Sequence, residues 1–151
     1  MAKADVASTL NSLLTLTRDG EADFEEAAKL VMNLKIKGLL KKAAVHCKDS
    51  ASELSRLIAA LGGDPERGPS LAGAAHVAWT DLKSKIAGMT DEEILDECLR
   101  NEESAQSLFE QALAEPLPAE AKALVTKHYE GVKQHYELVR GLRSSFIYGR
   151  T

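Results

Sequence analysis

A chain of 151 residues is the usual size of one domain and is long enough to bury a core without staples. Hydrophobic residues at 44% and charged residues at 28% argue against a disordered chain, while aromatics at 5% are few for a base-stacking surface or an all-β core. A net charge of -4 leaves no basic surplus for phosphates, which speaks against a dedicated nucleic-acid binder and disfavours anionic membranes.

The first helix is expected over residues 4–31. Val6, Leu10, Leu13, Thr17, Gly20, Phe24, Ala27 and Val31 follow one another at steps of three or four, the helix period. Asn33 is placed to cap a second helix over 34–61, where Ile36, Leu40, Ala43, Cys47, Ser50, Leu54, Leu57 and Leu61 keep the same rhythm. So short a joint makes the two an antiparallel hairpin. Gly62-Gly63-Asp64-Pro65 then stops the helix, because glycine accepts a left-handed terminal conformation and proline cannot continue.

Thr90-Asp91-Glu92-Glu93 has the spacing of a capping box, which starts a third helix over 91–114 with Ile94, Cys98, Ala105, Leu108 and Ala112 on its stripe. Glu115-Pro116-Leu117-Pro118 breaks it. A fourth helix over 118–146 carries Ala121, Val125, His128, Val132, His135, Val139, Leu142 and Phe146. The tail 144–151 is expected to fray. The connection from Gly62 to Met89 is too long for a turn, and its middle, 72–86, reads as helical, so it can travel the length of the bundle and make the second and third helices parallel. The expected fold is one all-α domain, a ferritin-like four-helix bundle with one long helical crossover.

No run approaches the roughly 20 apolar residues of a membrane span, and Met1-Ala2-Lys3-Ala4-Asp5 lacks the apolar stretch of a signal peptide, so a cytoplasmic protein is expected. Cys47 and Cys98 lie far apart without CxxC spacing, which fits a reducing compartment and argues against a thiol-ligated metal. Both read as small buried hydrophobes.

Several pieces resemble a bacterial family of uncharacterised ferritin-like four-helix-bundle proteins over residues 5–143. They are Leu10-Asn11 with Asp19-Gly20-Glu21 and Phe24, then Glu53-Leu54 and Leu61-Gly62-Gly63-Asp64-Pro65. His76 with Trp79, Asp81, Leu82 and Lys83 follows, and then Ile94-Leu95, Glu97-Cys98 and Glu102. The resemblance implies a fold and no chemistry, since that family has no established activity to carry over.

Diiron ferritin-like proteins use carboxylates from two helices and a Glu-x-x-His pair from each of the other two. Here Val132 stands three before His135 and Ala43 three before His46, so a two-metal centre is not expected. A weaker constellation remains. At about 1.5 Å per residue, Glu21, His46, Glu102, Glu103 and His135 fall at one height in the middle of the bundle. Glu21, His46, Glu102 and His135 can hold one divalent ion, zinc, manganese or iron. The structural alternative is a Glu102–His135 hydrogen bond, with Glu21 and His46 turned to solvent, because an uncompensated buried charge costs several kcal/mol.

His128 shares the stripe of His135 and reads as a hydrogen-bonded core histidine or an extension of the polar network. Trp79 is expected to pin the crossover, with His76 on its face, while Lys35, Lys37, Lys41 and Lys42 read as a solvated helix end. No G-x-S-x-G, phosphate-binding glycine loop or H-E-x-x-H is present. The favoured reading is a non-enzymatic structural or interaction protein with a degenerate mid-bundle site. The other is a metal-binding or iron-oxidising ferritin-like protein. Tyr129, Tyr136 and Tyr148 supply aromatic surface, and a homodimer is expected.

Overall fold

Where the sequence repeats at the helix period, the chain is helical. The structure, a computed structural model, describes residues 1–65 and 88–148, the last two by backbone alone. Its helices are α1 (Lys3–Leu30), α2 (Leu34–Ala60), α3 (Asp91–Leu113) and α4 (Ala119–Tyr148), and the described residues contain no strand. The expected crossover helix 72–86, with His76 and Trp79, lies outside the described residues.

The end of the molecule where α1 turns into α2 is held by side chains that satisfy orphan backbone donors. Asn33 Oδ1 accepts from Ile36 N at 3.0 Å, which caps α2. The Asp91 carboxylate accepts from Met32 N at 2.8 Å and from Asn33 N at 3.0 Å, so the first residue of α3 clamps the α1–α2 joint. At the same point Thr90 and Glu93 form the capping box reciprocally. α2 and α3 therefore begin at one end of the bundle.

α1 and α3 run antiparallel, since Thr9 Oγ1 donates to Glu115 Oε2 at 2.7 Å near one end and Asn101 Nδ2 donates to Asp23 Oδ2 at 3.1 Å further along. α2 stops at Gly62, whose φ of 83° suits glycine. The next residue must also be small: a Cβ on Gly63 would lie 2.9 Å from Ala7 Cβ and 3.0 Å from Ile58 Cγ2. Asn11 Nδ2 and Arg18 Nη1 then donate to the carbonyls of Asp64 and Pro65, tying the chain after α2 back onto α1.

The apolar residues do not form one continuous core. One cluster gathers Leu10 and Leu14 of α1, Leu54 and Ile58 of α2, Phe109 of α3 and Val125 of α4. The other gathers Phe24, Leu40, Ile94, Leu95 and Val139. Each helix passes from one cluster to the other through a stretch of polar and small residues, at about 17–20, 46–50, 102–105 and 128–135. These four stretches meet as a polar layer between two dry cores.

Candidate functional site

Thr17 of α1, His46 and Cys47 of α2, Glu102 of α3, and His128 and His135 of α4 line a cavity of about 40 Å³ in that layer. A water needs roughly 10–15 Å³ of such space, so the cavity takes a few waters or one ion. Small-molecule sites are roughly 300–1,000 Å³, far larger.

The α2–α4 wall is built by a close approach of backbone and ring. A Cβ on Gly131 would lie 2.6 Å from His46 Cε1, so glycine at that position lets the His46 imidazole lie against α4. There it meets His135 edge to face, with ring centroids 4.7 Å apart and planes at 86°. Phe24 closes the other side of His135 at 6.0 Å. Burial pushes the His135 imidazole down to about 4, helped by His46, so His135 is neutral near pH 7. His46 is an exposed residue that nevertheless lines the cavity.

Glu102 stands where the α3 stripe calls for an apolar residue, and it is only 7% exposed. Its Oε2 has no hydrogen-bond partner, and no bond joins it to His135 among the described residues. Burial first, and then the Asp23 carboxylate, raise its carboxyl to about 8. Asp23 itself is raised to about 8 by burial and then by Asp19, with Oδ1 unpartnered while Oδ2 takes the Asn101 amide. Burial, followed by the charge of Glu102, pushes the thiols of Cys47 and Cys98 far up, so both are protonated. His128 is 3% exposed, neither ring nitrogen is hydrogen-bonded, and Nε2 sits 3.7 Å from Glu53 Oε1.

The structure brings His46, Glu102 and His135 to one cavity and leaves Glu21 outside it. Glu21 is half-buried on α1, and its carboxyl is raised by partial burial and by Glu25 one turn on. Glu103 points away from the layer and accepts from the Tyr136 hydroxyl at 3.1 Å. The ring of Tyr129, partly buried, stacks on Phe109 while its hydroxyl donates to Glu110 at the surface. Neither His46 nor His135 has a glutamate three positions before it: Ala43, buried at 4% exposure, and Val132, on the cavity wall, stand there instead.

The family of a domain of unknown function (DUF2383) matches residues 5–115, well over half of the chain. The chain belongs to that family. A search of curated proteins finds no match. The DUF2383 match ends before α4, the helix that supplies His128 and His135 to the cavity and sets Gly131 against the His46 ring.

Sequence reasoning missed two participants. Asp23 adjoins Phe24 on the α1 stripe, and a charged residue one position from a core phenylalanine is an ordinary flank. Gly131 carried a usable signal: it is one turn before His135, on the side toward which a helical side chain leans.

Proposed function

We propose that this chain is a ferritin-like four-helix bundle that performs no catalysis of its own and acts through its surface, its polar layer being an incomplete two-metal centre. The observation that carries this reading is the pair of apolar residues Ala43 and Val132 beside His46 and His135. Without the bridging carboxylates two ions lack a shared ligand. The size of the cavity supports the same reading, since about 40 Å³ admits no organic substrate, and the two cysteines nearest it are thiols rather than nucleophilic thiolates. The ferritin-like topology is supported by α2 and α3 starting at the same end of the bundle.

The test is to install the missing ligands. Ala43→Glu combined with Val132→Glu is expected to create ferrous-iron oxidation in a chain that otherwise has none. Iron oxidation by the unmodified chain overturns the reading. Association of two copies belongs to the same reading, closed two-fold dimers being the commonest assemblies. A monodisperse monomer at high concentration in light scattering overturns that part.

A further inference from the structure

We infer that the cavity between the two cores binds one divalent transition-metal ion of the zinc type, held by the imidazoles of His46 and His135 with the Glu102 carboxylate as third donor. The inference takes the incomplete-site reading above as its starting point and adds a ligand to it.

The imidazole pair carries the argument. A metal–nitrogen bond of about 2.0–2.1 Å places an ion about 3.2 Å from the centre of each ligating ring. Two such rings at angles of about 90–110° then have centres roughly 4.5–5.2 Å apart by the same geometry. His46 and His135 stand at 4.7 Å with nearly perpendicular planes. Their meeting is tertiary, one ring from α2 and one from α4, and it exists because Gly131 leaves the ring its place.

Glu102 supplies the charge. It comes from a third helix, is buried, lines the same cavity, and keeps Oε2 without a hydrogen-bond partner. A buried carboxyl group with a free oxygen beside two imidazoles is stabilised by a cation, which takes the place of its proton, far more than by an apolar wall. Two nitrogens and one oxygen select zinc, cobalt or nickel over magnesium or calcium, which prefer oxygen donors alone. The volume admits one such ion. Among the described residues no three donors already converge at ligand distance, so capture brings Glu102 to the ring pair by side-chain rotation.

The experiment titrates the metal-free, untagged chain with zinc against a chromogenic chelator, and separately with cobalt(II), whose visible absorption reports its coordination. One equivalent per chain is expected. His135→Ala and His46→Gln are each expected to weaken binding at least tenfold, and His46, being exposed, can be replaced without emptying the core. Gly131→Ala removes no donor yet displaces the His46 ring, and it is expected to weaken binding by a similar factor. Gly141→Ala, whose added Cβ meets nothing within 4 Å, binds as the unmodified chain does. Absence of saturable binding by the folded chain overturns the inference, as does binding that survives both His135→Ala and His46→Gln. Either result leaves the incomplete-site reading standing, because only iron oxidation by the unmodified chain removes that.

Discussion

Glu102→Gln is the substitution that most directly interrogates the polar layer. In the folded chain the Glu102 carboxyl is held at about 8 instead of 4.5, chiefly by burial and secondarily by Asp23. A folded-state value above the unfolded one means that the folded chain binds this proton more tightly. The stabilisation is complete below about pH 4.5 and is lost as pH rises through about 8. Each tenfold of proton affinity corresponds to about 1.4 kcal/mol. Between about pH 5 and pH 7.5 the unfolded chain gives up the proton and the folded one keeps it, so stability falls by ~3 kcal/mol on this account.

Glutamine has the same shape and nothing to titrate. The groups around it are Asp23 from α1, Cys47 from α2, Cys98 one turn away on α3 and His135 from α4. Urea unfolding followed by circular dichroism at about pH 5, 6.5 and 7.5 should show the two proteins diverging, the variant gaining ~3 kcal/mol on the unmodified chain across the range. Parallel pH profiles would refute the claim that Glu102 is buried, unpartnered and protonated.

Two further substitutions address the frame around the layer. Asp91→Ala removes the acceptor for Met32 N and Asn33 N and the charge at the start of α3, and it is expected to cost about 2 kcal/mol in chemical denaturation. That corresponds to a fall of roughly 4–8 °C in melting temperature for a domain of this length. Phe109→Ala empties the largest fully buried side chain from one of the two cores, and a loss of about 3–5 kcal/mol is expected by the same assay.

The helices were legible because each signal for them is local. Periodicity of three and four, the Asn33 cap, the Thr90–Glu93 box and the Gly62-Gly63 stop each depend on residues a few positions apart, and the backbone obeys them. Glu102 was legible for a related reason: a glutamate on an apolar stripe must be buried with it. His46, Glu102 and His135 could be set at one height from helix lengths alone, and all three line one cavity.

Height along a helix says nothing of rotation about it, and only packing fixes that angle. Glu21 and His46 both flank their stripes by one position, yet Glu21 stands outside the cavity and His46 lies on its wall. The difference is made across the helix interface by Gly131, which leaves room for an imidazole on the facing helix. Asp23 entered the layer through Asn101 of α3, a partner 78 residues away. Local patterning determined which segments are helical and which residues sit at mid-bundle. The contacts between helices decided which of those residues face one another, because a few ångströms of backbone separation at a single glycine settle whether a ring fits.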